Sequence, residues 1–274
     1  MGGERILVTG GNSGIGLALC KQLATEHDCH VYLGSRSMES GSKALESIFS
    51  YAPQCNGKIE LVNIDVMSDA SVTEAANSLR TALGSEVLYA VVNNAGTGLA
   101  HGVAPEVILD TNLYGVKRVC EAFLPLLHPV EGRIVNVGSG AGPMWLNKQS
   151  EETKGIINDA NVTWQQIDGV VKAEFSRGAG VNAYGVSKSC VSAYTALLAR
   201  TNPNLKCSSI SPGFIDTAIV RGFGAKKSPE EGTVSIRHCL FARLEGNGWY
   251  YGSDAVRSPL DVLRNPGEPP YTGK

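Results

Sequence analysis

Short apolar segments alternate with longer segments of helical periodicity along most of the chain. The apolar segments predict seven strands, at 5–9, 29–34, 58–63, 87–92, 133–137, 206–210 and 249–251. The periodic segments predict helices at 14–24, 70–83, 105–127, 183–200 and 229–242. Apolar strands that alternate with helices favour a parallel sheet covered on both faces. We therefore expect one doubly wound α/β domain over residues 1–274.

One segment interrupts this alternation. Residues 145–181 are too long for a plain connection between a strand and a helix, and 150–159 and 163–175 within them have helical character. Thr163 and Gln166 have the spacing of a capping box. One apolar stripe would comprise Trp164, Ile167, Val170, Val171 and Phe175. Such a stripe is typical of core packing, and it would also suit a lid over a substrate cleft.

Composition limits the possible partners. The 274 residues are 43% hydrophobic with a net charge of -2, which favours neither nucleic acid nor an anionic membrane as a partner. The first predicted strand follows the N-terminus without a signal peptide, and no apolar run reaches membrane-spanning length. Seven scattered cysteines indicate reduced thiols and a cytoplasmic location. The five histidines have no metal-ligand spacing, so we expect no metal. The polar segment 261–274, which contains prolines and glycines, predicts a loosely ordered tail.

A glycine-rich turn joins the first strand to the first helix. Its sequence is Thr9-Gly10-Gly11-Asn12-Ser13-Gly14-Ile15-Gly16. Glycines at such a turn let the backbone approach a pyrophosphate, which the N–H groups at the helix start can bind. The candidate cofactor-binding residues here are Gly10, Asn12, Ser13, Gly14, Ile15 and Gly16. The alternative is a tight turn without a ligand.

The end of the second strand bears on the choice of cofactor. About 20 residues past such a turn, an acid would hold the ribose 2′-hydroxyl of NAD, whereas an arginine accommodates the 2′-phosphate of NADP. This chain has Ser35 and Arg36 there and no acid. The pattern favours NADPH, with both residues contacting the phosphate. The alternative is that Arg36 is an ordinary surface charge.

Three side chains form a candidate catalytic group. Tyr184 and Lys188 are four residues apart, so they share one face of the predicted helix. A nearby ammonium lowers the pKa of a phenol, which is ordinarily about 10, and so prepares it for proton transfer. Ser139 follows the fifth strand, where its hydroxyl could bond a substrate carbonyl. The alternatives are an exposed helix pair and an ordinary loop serine.

Taken together, these motifs resemble the short-chain dehydrogenase/reductase family over essentially the whole chain. Besides the glycine turn, Ser139, Tyr184 and Lys188, the matches include the N-N-A-G motif at 93–96, the helix asparagine at Asn112 and the proline–glycine loop after the sixth strand. The resemblance implies a Rossmann-type sheet. It adds as cofactor-binding residues Asp65, Val66, Asn94, Ala95, Gly96, Tyr184, Lys188, Pro212, Gly213 and Thr217.

The resemblance also implies a division of roles. Tyr184 would be the general acid, Lys188 would lower its pKa and hold the nicotinamide ribose, and Ser139 would orient the carbonyl. Asn112 would keep a water molecule that links Lys188 to solvent. The expected reaction is NADPH-dependent reduction of an aldehyde, ketone or quinone. An NAD-linked alcohol dehydrogenase and a non-catalytic nucleotide-sensing protein remain the alternatives.

Two features refine the comparison with this family. The long insertion is similar to that of the monomeric carbonyl reductase branch, where extra helices cover the surface through which other members assemble. The resemblance therefore implies a monomer. Carbonyl reductases often carry a lysine in the glycine turn, whereas this chain has Asn12 and Ser13. The expected preference for NADPH therefore depends more heavily on Arg36.

Overall fold

The structure is a computed structural model that describes residues 3–98, 102–220 and 222–273. Over these residues one parallel sheet has the strand order β3-β2-β1-β4-β5-β6-β7. The strands are β1 Arg5–Val8, β2 His30–Ser35, β3 Ile59–Asn63, β4 Ala90–Asn93, β5 Arg133–Val137, β6 Lys206–Ile210 and β7 Trp249–Tyr251. Each corresponds to a predicted strand. The doubly wound fold class is therefore confirmed.

Helices cover both faces of the sheet. They are α1 Gly14–Glu26, α2 Met38–Tyr51, α3 Asp69–Leu83, α4 Pro105–Leu109, α5 Gly115–Phe123, α6 Ala141–Leu146, α7 Glu151–Asn158, α8 Trp164–Phe175, α9 Ala183–Thr201 and α10 Val234–Phe241. The sequence analysis did not identify α2 or α6. The helix predicted at 229–242 is shorter, because a 3₁₀ turn at Glu231–Thr233 precedes α10.

Alternation along the strands divides the buried side chains between two cores. In β1, Ile6 and Val8 face the core beneath α1, α2 and α10, whereas Leu7 faces the core beneath α3, α5 and α9. Adjacent strand residues point to opposite faces, so a strand covered on both faces must be apolar throughout. This explains why the strands were recognisable in the sequence.

The prediction of a single helix over 105–127 is wrong, because the helix is interrupted in its middle. A π-helical turn, Asp110–Tyr114, separates α4 from α5, and the Gly115 N–H donates to the Asp110 carbonyl. A Cβ on Gly115 would lie 3.0 Å from the Val66 carbonyl oxygen, so glycine allows the close approach. Arg118 donates to that same oxygen and also pairs with Asp110. These contacts hold the widened turn, which places Asn112.

The insertion contains α7 and α8 and begins at the end of α6. Both hydrogen bonds of the capping box between Thr163 and Gln166 are present at the start of α8. Its apolar stripe packs inward, and Ile167 is fully buried. The Trp164 ring meets Tyr114 and Tyr194 edge-on, with centroids 5.8 and 5.7 Å apart. The stripe therefore packs on α9 and on the chain that enters α5.

The loosely ordered tail predicted at 261–274 is wrong for the described residues. Residues 258–273, which we call the C-terminal strap, are held by two arginines. The Arg264 guanidinium donates to the Ser258 hydroxyl and to the Glu268 carbonyl. Arg257 donates to the Gly273 carbonyl. These hydrogen bonds, several of them within the strap itself, hold a segment that has no helix or strand.

Among the described ranges, no helix is both long enough and apolar enough to cross a bilayer.

Candidate active site

The candidate site lies at the carboxyl ends of β1 and β4, where the strand order reverses direction. Ligands bind at this switch point in open α/β sheets. The Thr9 hydroxyl accepts the N–H groups of Asn94 and Ala95, each at 3.1 Å. The Asn94 amide donates to the carbonyls of Thr9 and Gly10, at 2.9 and 3.1 Å. The predicted cofactor residue Asn94 therefore ties the two walls of the crevice together through its side chain.

The glycine turn is shaped by the backbone. Gly10 and Gly14 have positive φ angles of 64° and 53°, which favour glycine. A Cβ on Gly10 would lie 2.9 Å from the Ala95 Cα, and one on Gly16 would lie 2.3 Å from the Gly10 carbonyl oxygen. Larger residues would push the turn away from β4, so the crevice requires these glycines whether or not a ligand is bound.

The N-terminus of α1 differs from those of several other helices. Ser13 at its N-cap makes no side-chain cap hydrogen bond. Side chains do cap five other helices, through Ser37, Ser68, Ser150, Thr163 and Asn182. Free N–H groups at a helix start attract anions. The predicted residues Asn12, Ser13 and Ile15 adjoin this start, and the Thr217 methyl lies 3.3 Å from the position of a Cβ on Gly14.

Arg36 and Ser35 occupy different environments at the end of β2. The Arg36 side chain is exposed, and in the described ranges no hydrogen bond or ion pair engages it. Ser35 is buried, and its hydroxyl donates to the Ser37 carbonyl at 2.8 Å. The expectation that Ser35 also bonds a phosphate is therefore weakened, because this hydroxyl shapes the turn before α2. Arg36 is the cation available at this position.

Asp65 and Val66 follow β3 at the same edge of the sheet. The Asp65 carboxylate accepts the Met67 N–H at 3.0 Å, and its own N–H donates to the Ser71 hydroxyl. Val66 packs against Gly115. Asp65 is only partly buried. Asp65 therefore has a structural role in its own turn, and contact of both residues with a cofactor stays a prediction.

Tyr184 and Lys188 lie in the first two turns of α9. The Lys188 ammonium is buried, donates to the Val137 carbonyl at 2.8 Å and lies 5.7 Å from the centroid of the Tyr184 ring. The Ser139 hydroxyl accepts the Ala141 N–H at 3.2 Å. Because Val137 ends β5 and Ser139 follows it, the three predicted catalytic side chains converge at one strand end.

Burial governs the acid–base properties of this pair. It lowers the pKa of Lys188 to about 8. It raises the pKa of Tyr184, an effect that a hydrogen bond with the Ser139 hydroxyl partly offsets. Desolvation therefore holds the pKa of the phenol above its usual value, and a lowering of that pKa by Lys188 stays a prediction. At neutral pH Tyr184 is a neutral phenol and Lys188 remains largely a cation.

Asn112 lies within the π-helical turn. Its side-chain oxygen accepts the Thr97 N–H at 2.9 Å, and its amide donates to the Thr97 carbonyl at 2.8 Å. A Cβ on Gly96 would lie 3.3 Å from the Asn112 oxygen and 3.7 Å from the Lys188 nitrogen. Asn112 therefore fixes the loop after β4 beside Lys188. A water link through Asn112 stays a prediction.

The proline–glycine loop is joined to the loop that carries Ser139. The Ser211 hydroxyl accepts the N–H groups of Gly140 and Gly213, at 3.1 and 3.3 Å. Gly213, which follows Pro212, has a φ of 91°, and the chain turns sharply there. This link aligns the loops after β5 and β6, so Pro212 and Gly213 border the same crevice.

Sequence reasoning missed three residues that shape the site. Ser211 links two loops, and Gly98 lies so near Tyr184 that a Cβ there would be 2.6 Å from the ring. Buried Glu174, in α8, accepts the N–H of Asn182, the residue that caps α9. Gly98 lies only two positions beyond the N-N-A-G motif, and this proximity was a signal in the sequence by which it could have been found. Glu174 gave none, because its partner belongs to another helix.

Two surface grooves, of about 250 and 280 Å³, lie away from these catalytic side chains. One lies along α3 and β3, and the other lies between α1 and α2. Neither is lined by Ser139, Tyr184 or Lys188. The convergence of polar groups therefore locates the candidate site better than groove size does.

A doubly wound parallel sheet, a glycine turn after β1 and a tyrosine–lysine pair beside β5 define an α/β dehydrogenase or reductase. The chain belongs to the short-chain dehydrogenase family, whose model matches residues 4–151. It is an oxidoreductase that acts on carbonyl or alcohol groups.

Named relatives agree with this class. The chain is 33% identical to a (+)-neomenthol dehydrogenase of Arabidopsis thaliana, over 87% of this chain and 92% of that protein. It is 29% identical to the human NADPH carbonyl reductase 1, over 82% and 86%. Salutaridine reductase from Papaver somniferum superposes with a TM-score of 0.77 at 28% identity, over 90% of this chain and 99% of that one.

The lowered pKa of Lys188 makes stability depend on pH. Folding lowers the pKa of Lys188 from about 10.4 to about 8. At pH values between these two, the unfolded chain therefore binds more protons than the folded chain does. The free energy of unfolding therefore rises as pH increases through this window. From about pH 7.5 to 9.5, we expect the cofactor-free wild type to gain about 2 kcal/mol relative to Lys188→Met in urea unfolding.

The matched control is Lys148→Met, which removes an exposed lysine of the insertion. Its pH response should follow that of the wild type. Equal pH responses in the wild type and in Lys188→Met would contradict the lowered pKa.

Proposed function

We propose that this protein is an NADPH-dependent carbonyl reductase that converts aldehydes, ketones or quinones to alcohols. The observation that carries the proposal is the convergence of Tyr184, Ser139 and the buried Lys188 at the end of β5. A neutral phenol beside a hydroxyl and an ammonium can bind a carbonyl oxygen and protonate it. Relatives named as carbonyl and salutaridine reductases support the same direction of reaction.

The chain has features that fit a nicotinamide dinucleotide. The glycine turn and the uncapped start of α1 would hold the pyrophosphate. Arg36, exposed at the end of β2, would pair with a 2′-phosphate. The path between the pyrophosphate and the 2′-phosphate would be lined by Asp65, Val66, Ala95 and Gly96. A bound nicotinamide would supply the hydride, which is the chemistry that the side chains lack.

The side chains would divide the remaining work. Ser139 would donate a hydrogen bond to the substrate carbonyl and so hold it beside Tyr184. Tyr184 would give its phenolic proton to the oxygen as negative charge develops there. The Lys188 ammonium would stabilise the resulting tyrosinate and bind the nicotinamide ribose. Thr217, Pro212 and Gly213 would close the crevice over the cofactor.

Burial keeps Tyr184 in its neutral form at neutral pH. Alcohol oxidation needs the tyrosinate as a base, and burial raises the pKa of Tyr184 away from that form. Reduction needs the neutral phenol, which is the form present at neutral pH. The protonation state of Tyr184 is therefore the one that the proposed reduction starts from.

The direct test is a panel of aldehydes, ketones and quinones assayed by the loss of NADPH absorbance. Turnover of at least one carbonyl is expected. Tight NADPH binding without turnover of any panel member would instead support a nucleotide-sensing protein.

Loss of the phenol should remove the proton donor. We expect Tyr184→Phe to reduce kcat by about 10²- to 10⁴-fold while NADPH still binds. Tyr194→Phe makes the same change on the same helix, at a buried tyrosine that packs on Trp164, and should retain activity. Activity near the wild-type level in Tyr184→Phe would show that another group donates the proton.

Cofactor preference should depend on Arg36. A charged hydrogen bond contributes about 1.5–3 kcal/mol, so Arg36→Ala should lower kcat/KM for NADPH by about tenfold to a hundredfold and leave the value for NADH nearly unchanged. Adding Ser35→Asp should shift the preference further toward NADH. Arg80→Ala, at an exposed arginine of α3, is the control. Equal kcat/KM values of the wild type for both cofactors would refute the role of Arg36.

We also propose that the protein is a monomer located in the cytoplasm. The stripe of α8 already occupies the surface of α9, which the family resemblance assigns to assembly. All seven cysteines are buried and unpaired, which supports a reducing compartment.

Light scattering at micromolar concentration tests the monomer. We expect a mass near 28.9 kDa, because burial of the stripe within the chain leaves that face unavailable. Deletion of 146–180 should expose it and give oligomers or aggregate. A stable mass of twice the chain mass for the wild type would contradict the blocking role.

A further inference from the structure

The C-terminal strap is anchored by a buried cation. Arg264 is only 9% exposed. Its guanidinium pairs with Asp254 and donates to the Ser258 hydroxyl at 2.9 Å and to the Glu268 carbonyl at 2.7 Å. Asp254 in turn accepts the Gly267 N–H at 3.1 Å. A buried charge with this many partners fixes the path of the chain on both sides of it.

A second attachment joins the strap to the insertion. The Asn147 amide donates to the Asp261 carbonyl at 3.0 Å, and the Asn158 amide donates to the Asp261 carboxylate at 3.3 Å. Leu260 packs against the core beneath α9. The strap is therefore fixed at Asp261 and at Arg264, with two residues between these points.

Those two residues, Val262 and Leu263, are apolar and yet 52% and 43% exposed. One Cδ of Leu263 lies 3.0 Å from the position of a Cβ on Gly140, the residue that follows Ser139. Met144, one turn along in α6, is 52% exposed. Exposed apolar side chains next to the loop that carries Ser139 suit an apolar ligand better than they suit water.

We propose that the C-terminal strap forms one wall of the carbonyl site and that Leu263 limits the bulk of the substrate on the Ser139 side. The proposal rests on the proposed carbonyl reduction at Tyr184. Arg264 acts indirectly, because it holds Leu263 against Gly140. The substrate class is a ketone whose apolar ring or chain lies against Leu263 and Met144.

The test compares two ketones of different bulk, cyclohexanone and 4-tert-butylcyclohexanone, with NADPH. Leu263→Ala should raise the ratio of kcat/KM for the bulky ketone to that for the small one about tenfold, mainly through KM, and Leu263→Trp should lower it by a similar factor. Val130→Ala removes an apolar side chain that is 64% exposed before β5, and it should leave the ratio unchanged.

A second variant tests the anchor. Arg264→Met should shift the ratio in the same direction as Leu263→Ala and should increase hydrogen exchange in 258–273, while NADPH affinity stays within about twofold. Ratios within about twofold of the wild type in both Leu263 variants would overturn the role of Leu263 and leave the proposed function intact. Absence of turnover of every carbonyl by the wild type would overturn the proposed function, and this inference with it.

Discussion

The hydrogen bond from the buried Lys188 ammonium to the Val137 carbonyl connects the catalytic helix to the sheet. Burial of a cation opposes folding, and this cost appears as a pKa lowered to about 8. The surrounding packing must therefore hold α9 in place. It does so from several sides, since α6, α8 and the π-helical turn all pack against this helix. The insertion, which interrupts the alternation of strands and helices, thus supports the site.

Features set by local sequence were predictable. The central strands are largely apolar because both faces are covered, and the glycine turn, Tyr184 with Lys188, and the capping box of α8 have fixed spacings. These patterns depend on residues within a few positions of one another. The fold class and the meeting of Ser139, Tyr184 and Lys188 follow from them.

Features set by distant contacts were not predictable. The π-helical turn depends on Gly115 approaching Val66, and the order of the C-terminal strap depends on Arg264 meeting Asp254. The pKa of Tyr184 depends on how completely the fold excludes water, which no spacing in the sequence reveals. By contrast, α2 was missed although Ser37 and the apolar positions after it gave a local signal.

The uncapped start of α1 has a consequence for the lifetime of the protein. Where Ser13 makes no cap, a bound anion would complete the first turn of the helix, so the ligand would bind the folded chain and not the unfolded one. Such a ligand stabilises by mass action, by about 2.7 kcal/mol at a hundred times its Kd. The fraction of unfolded chains exposed to proteases would then fall as the supply of such an anion rises.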